Sequence, residues 1–138
     1  MEFVDADYDH SSWRCHVKGM ENEPERGGRC LECFKLRLLQ TAAYASTHDL
    51  HVVATTLASS RWKSLDQINA AGEWACSGFE GVDFWAANWR KGGLQERRNA
   101  LIKEKNFYNQ LYCGCEFSLE AMQKKESALN GTSNNKTL

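Results

Sequence analysis

The feature that most limits what this chain can fold into is an apolar helical stripe that runs closely into a β-branched segment. Leu31, Phe34, Leu38, Ala42 and Ala45 recur at helical spacing, which predicts an amphipathic helix from about Cys30 to Thr47. His51–Leu57 (His-Val-Val-Ala-Thr-Thr-Leu) is β-branched and bounded by polar residues, so it reads as a strand buried on both faces. A one-faced helix beside a strand with no polar face has to be layered into an α/β core.

The alternation continues. Leu65, Ile68 and Ala71 predict a helix, Gly81–Trp85 a second strand, and Leu94–Lys105 a helix that begins after the Gly92-Gly93 break. Upstream, Glu2–Ala6 reads as a short strand. Ser11 and Ser12 are caps for a helix to Met20 with Trp13 and Val17 on one face, and Pro24 with Gly27-Gly28 marks residues 21–29 as a loop. The expected fold is α/β, a parallel sheet covered by helices, over residues 1–119. Residues 120–138 turn polar and are expected to be a disordered tail. At 138 residues the chain allows one domain, yet a doubly wound sheet needs more than the two or three strands found, so the domain reads as incomplete.

Bulk properties exclude more than they select. The net charge of -1 names no partner. No apolar run approaches the ~20 residues that cross a bilayer, and Met1-Glu2-Phe3-Val4-Asp5 lacks the pattern of a signal peptide. A cytoplasmic location is therefore expected, where thiols stay reduced and the sequons at Asn130 and Asn135 carry no meaning.

That expectation gives the cysteines their weight. Four of the six fall in two tight pairs, Cys30/Cys33 and Cys113/Cys115. Cys30 and Cys33 open the long helix, where unpaired amides and the dipole favour an anion and Arg29 adds charge; both are expected to ionise readily. A pair at this spacing can take two sites on zinc or an iron–sulfur cluster, or cycle with a disulfide; the competing reading is two small buried hydrophobes. Gly114 frees the backbone between Cys113 and Cys115, so the two sulfurs can chelate one metal or close a strained, easily reduced ring. Tyr108, Tyr112 and Phe117 are expected to shield them. Cys15 and Cys76, isolated on apolar helix faces, read as packing residues. A basic stretch adds a different signal: Arg90, Lys91, Arg97, Arg98, Lys103 and Lys105 face only two acidic residues, and Trp62, Trp85 and Trp89 offer stacking surfaces. The plainer alternatives are a solvated helix face and core tryptophans.

The chain carries Gly19-Met20-Glu21-Asn22-Glu23-Pro24-Glu25; Gly27-Gly28-Arg29-Cys30 with Cys33-Phe34 and Arg37-Leu38; Thr55-Thr56-Leu57; Ser60-Arg61-Trp62-Lys63; Asp66-Gln67-Ile68-Asn69; Asn88-Trp89-Arg90-Lys91-Gly92-Gly93; and Phe107-Tyr108 with Gln110 and Tyr112-Cys113-Gly114-Cys115. With these motifs the chain, from about Tyr8 to Leu119, resembles the QueH-type epoxyqueuosine reductases, which complete the queuosine base at the wobble position of certain transfer RNAs. The resemblance implies a Rossmann-like sheet and a 4Fe-4S cluster, with an additional metal ion as an option. It implies Cys30 and Cys33 as cluster ligands and Cys113 and Cys115 as either a redox-active pair or further ligands, the redox pair being preferred because a one-residue spacer suits a strained ring. Lys63, Arg90 and Lys91 become substrate RNA contacts, and an electron donor is required. The family's first strands and their Cys-Cys-Ala-Pro-Cys motif have no counterpart before Tyr8, so an N-terminally truncated reductase is expected, with a bare sheet edge that promotes self-association.

Three other readings remain at this point. Four cysteines can hold one zinc in a structural or RNA-binding module, although zinc knuckles place their pairs in β turns and Cys30 opens a helix. A thioredoxin-like dithiol exchanger wants a strand before its CxxC, where this chain has a polar loop. An inactive remnant of the reductase is the third.

Overall fold

The computed structural model describes residues 1–133, which gather into two compact units. The first comprises Met1–Ala54 and Asp66–Ala86; the second comprises Thr55–Leu65 and the described residues from Ala87 onward.

In the first unit the predicted stripe builds the core. Helix α1 (His10–His16) is followed by α2 (Gly28–Thr47), which buries Phe34, Leu38, Ala42 and Ala45. Strand β1 (Val52–Val53) pairs in parallel with β2 (Asp83–Phe84), register Val52 to Asp83, and helix α3 (Leu65–Ser77) lies between them in sequence. The amides of Asp83 and Trp85 donate to the carbonyls of His51 and Val53, each at 2.8 Å. From α3, Ile68, Ala71, Gly72, Ala75 and Cys76 are buried, joining Val17, Val53 and Val82. Burial pushes the Cys76 thiol up, and the charge of Asp83 adds to that.

Several expectations are corrected here. Residues 2–6 form no strand and lie exposed. Helix α1 is capped by Asp9, whose Oδ1 accepts from the Ser12 amide at 2.9 Å, and stops at His16 rather than Met20. Cys15 is exposed rather than packed. The strand expected over residues 51–57 shrinks to two residues, with Val52 63% exposed and Val53 4%. The reason is Thr55: its hydroxyl accepts the Leu57 amide at 3.2 Å and caps a 3-10 turn, Thr56–Ser59, because threonine side chains compete with a β ladder for backbone donors. The result is a mixed α/β chain with a small parallel sheet.

The second unit carries that 3-10 turn, helix α4 (Leu94–Lys105) and helix α5 (Glu116–Ser133). Helix α4 matches its predicted limits. The stretch from residue 120, expected as a disordered tail, is helical through Ser133; Ala121, Met122, Gln123, Lys124, Lys125 and Glu126 are strong helix formers. The part of that expectation on residues 134–138 lies outside the described residues. Among the described residues only Ala58, Lys63 and Ser118 are fully buried in this unit, so side-chain to backbone hydrogen bonds take the place of an apolar core. Trp89 Nε1 donates to the Thr55 carbonyl at 2.9 Å, Trp62 Nε1 to Gln110 at 3.4 Å, and Arg90 Nε to Ala58 at 3.1 Å.

Gly72 shows how tightly the first unit is closed. A Cβ there would fall within the Phe84 ring. Gly72→Ala is expected to destabilise the chain by about 1–3 kcal/mol in urea unfolding, despite alanine's ~1 kcal/mol helix-propensity advantage. A stabilised variant would show that Phe84 has room to move.

Candidate functional site

Cys113 and Cys115 lie in the second unit, and the start of α5 decides their chemistry. Cys115 sits at the N-cap position: its carbonyl accepts the Leu119 amide at 3.1 Å, and its Sγ accepts the Ser118 amide at 3.4 Å. The Ser118 hydroxyl accepts the Gly114 amide at 3.2 Å and stands 2.8 Å from the Cys115 carbonyl and 3.5 Å from the same sulfur, either of which can take its one proton. Gly114 adopts φ +115°, a left-handed conformation that a side chain resists, and a Cβ there would meet Gln110 Nε2 at 2.9 Å. Lys63, a residue only 8% exposed, donates from its ammonium to the Cys113 carbonyl at 2.9 Å.

These contacts split the pair. A hydrogen bond from the Cys113 thiol, then the Ser118 hydroxyl and the Ser118 and Phe117 backbone, lower Cys115 to about 5 against the opposing effect of burial. The same hydrogen bond, with burial, pushes Cys113 well up, and the charge of Lys63 only partly offsets this. The contacts make the two sulfurs unequal, favouring the anion on Cys115 over Cys113 at a helix N-terminus. All six cysteines are free thiols. The expected aromatic shield is partial, since Tyr108 is 81% exposed while Tyr112 and Phe117 are half-buried.

Cys30 and Cys33 occupy the first turns of α2 in the first unit, at a spacing that puts both on one face. Cys30 Sγ accepts the Arg26 amide at 3.3 Å, and Cys33 Sγ accepts the Trp13 indole N–H at 3.2 Å. N–H donors to both sulfurs suit metal-bound thiolates. Arg29 is engaged by backbone carbonyls upstream of the helix. Its guanidinium is buried and donates to the carbonyls of Met20, Glu21 and Glu23 at 3.2, 3.2 and 2.7 Å, while Glu23 Oε2 takes the Arg29 amide at 2.6 Å. Among the described residues no three His, Cys, Asp or Glu side chains converge as a metal site. The two thiols therefore fit two positions of a thiophilic centre and no more.

The cations expected to contact substrate divide. Lys63 is turned to Cys113, and Arg90 donates to Ala58 and, from Nη2, to the Lys63 carbonyl at 3.5 Å. Lys91 is exposed. Trp89 and Trp62 are fixed by their indole hydrogen bonds, and Trp85 is 57% exposed. Sequence reasoning missed Ser118, although its place three residues after Cys115 matches the spacing of a helix-start capping pair. It also missed Trp13 and Gln110, for which no local signal exists.

A thiolate–thiol pair at a helix start, with a second thiol pair on another helix, equips this mixed α/β chain for thiol redox or thiolate–metal chemistry. A family model described as "Epoxyqueuosine reductase QueH" matches residues 1–121. A protein of that name from Histophilus somni is 44% identical over 126 residues, covering 91% of this chain and 52% of the relative. Another, from Haemophilus influenzae, is 45% identical over 122 residues, covering 88% and 50%, and one from Acinetobacter baylyi is 44% identical over 117 residues, covering 85% and 54%. The chain belongs to the QueH family. It spans about half the length of the curated relatives it matches.

The thiol pair can be titrated directly. Site-resolved alkylation read by mass spectrometry should show Cys115 reactivity falling as pH drops through about 5, because acid protonates the thiolate. Ser118→Ala removes a hydroxyl that favours the thiolate and should move this midpoint upward. A wild-type midpoint near the free-thiol value of ~8.5 would contradict the assignment.

Proposed function

We propose that this chain carries the thiol redox centre and two cluster ligands of an epoxyqueuosine reductase, which reduces epoxyqueuosine to queuosine at the wobble position of transfer RNA in the last step of queuosine biosynthesis. The observation that carries this reading is the Cys113-Gly114-Cys115 unit, with its thiolate held by Ser118, in a chain of the QueH family.

The reaction breaks both C–O bonds of the epoxide, forms a C=C bond and releases the oxygen as water, which takes two electrons and two protons. Oxidation of Cys113 and Cys115 to a disulfide supplies both electrons. The Cys113 thiol gives up one proton, and the second comes from a neighbouring acid, for which Lys63, Tyr112 and Glu116 are the candidates. Lys63 fixes the Cys113 carbonyl and Arg90 fixes Lys63, so both hold the pair in place, while Lys91 is left to meet RNA. An external electron donor returns the disulfide to the dithiol.

Cys30 and Cys33 would hold two positions of a 4Fe-4S cluster, with the Arg26 amide and the Trp13 indole on their sulfurs. When bound, the cluster supplies one-electron chemistry, and an additional metal ion can polarise the epoxide oxygen. In this reading the two parallel strands are part of a Rossmann-like sheet. The protein works in the cytoplasm, where thiols stay reduced; no helix among the described residues is long and apolar enough to cross a membrane.

Cys113→Ser and Cys115→Ser should each abolish reduction of epoxyqueuosine-containing transfer RNA while leaving bound iron and sulfide unchanged. Cys30→Ser and Cys33→Ser should lower iron and sulfide content as well as turnover. Full turnover by Cys115→Ser would overturn the proposal.

A further inference from the structure

One cavity in the second unit borders the thiol pair and carries two cations, Arg61 and Arg98, that the chemistry above does not use. It has a volume of about 220 Å³, and its wall includes Ser60, Arg61, Trp62, Lys63, Arg98 and Tyr112. Three of its ten lining residues are cationic and none is Asp or Glu, in a chain whose net charge is -1. The positive charge is concentrated locally, and the wall is built to hold it.

Arg98 Nη2 donates to Asn109 Oδ1 at 3.2 Å and Nη1 to Asn99 Oδ1 at 3.3 Å; both are neutral acceptors that orient the guanidinium without cancelling its charge. The Arg61 guanidinium stands 4.7 Å from the centre of the Trp62 ring, whose own indole N–H is fixed on the Gln110 carbonyl. Two planar cations held in this way match the geometry of phosphate oxygens better than flexible ammonium groups do. The volume sets the size of the ligand. It lies below the ~300–1,000 Å³ typical of clefts that enclose drug-sized ligands, so the cavity takes a small anionic group rather than a whole nucleotide.

The cavity also adjoins the thiols. Tyr112 is bonded to Cys113 in sequence, and Lys63, part of the cavity wall, donates to the Cys113 carbonyl. Resting on the reductase reading, we propose that this cavity seats a backbone phosphodiester of the substrate RNA beside the nucleotide being reduced, with Arg61 and Arg98 as the binding cations. The phosphate fixes the strand's register while the modified base is presented to Cys113 and Cys115, as phosphate contacts commonly position a nucleic acid without reading its sequence.

The test compares wild type with Arg61→Gln/Arg98→Gln for binding of an unmodified anticodon stem-loop RNA across a salt series. Loss of one phosphate contact should weaken binding about 10-fold and reduce the slope of log K against log salt by about 0.7. Wild-type protein is then titrated with inorganic phosphate, with the Trp62 indole and Arg98 side-chain NMR signals expected to shift saturably; this arm does not depend on a variant that folds. An unchanged salt slope in the folded double variant overturns the subsite, as does an absence of shifts in wild type. Phosphate binding combined with an unchanged RNA slope assigns the cavity to free anions and likewise overturns it. Epoxide reduction by wild type is assayed separately, so failure of the reductase reading is distinguishable from failure of the subsite.

Discussion

Lys63, a buried residue, donates from its ammonium to the carbonyl of Cys113 fifty residues away, tying together the two chain segments that make up the second unit. An ammonium is costly to bury unless it is hydrogen-bonded, so the chain on either side of it is tightly specified. Arg90 reaches the carbonyls of Ala58 and Lys63, and Trp89 reaches Thr55. With only three fully buried residues among those described, this unit gets its definition from directional bonds rather than from bulk hydrophobic burial.

The two cysteine pairs show how the same side chain takes on different roles. Cys115 stands at a helix N-cap and is served by its own helix through Ser118, which favours the anion on Cys115 over Cys113. Cys30 and Cys33 lie inside the first turns of α2 and take donors from elsewhere in the chain, the Arg26 amide and the Trp13 indole. The first arrangement makes the two sulfurs of a pair unequal; the second gives each sulfur one N–H donor.

Much of this was legible in the sequence where periodicity was strong and local. The Leu31–Ala45 stripe and the limits of α4 follow from spacing and from the Gly92-Gly93 break. The strand after α2 was overread because Thr55 and Thr56, which raise β propensity, instead turn the chain through a side-chain cap. Helix propensity outweighed polarity in the stretch from residue 120. At the site the cysteines stood out by their pairing, whereas the hydrogen bonds that Arg29, Lys63 and Arg90 give to backbone carbonyls had no sequence signal. No local pattern marks such bonds, because the carbonyls that Lys63 and Arg90 find lie tens of residues away.

The central claim is that Cys113 and Cys115 deliver the two electrons of the reaction, and a single-turnover experiment tests it most directly. The reduced protein is mixed with epoxyqueuosine-containing transfer RNA in the absence of any external donor, and product is measured alongside the oxidation state of each cysteine by mass spectrometry. The account predicts about one alkene per chain and a disulfide mapped to Cys113 and Cys115. Alkene formation with both thiols still free would contradict it.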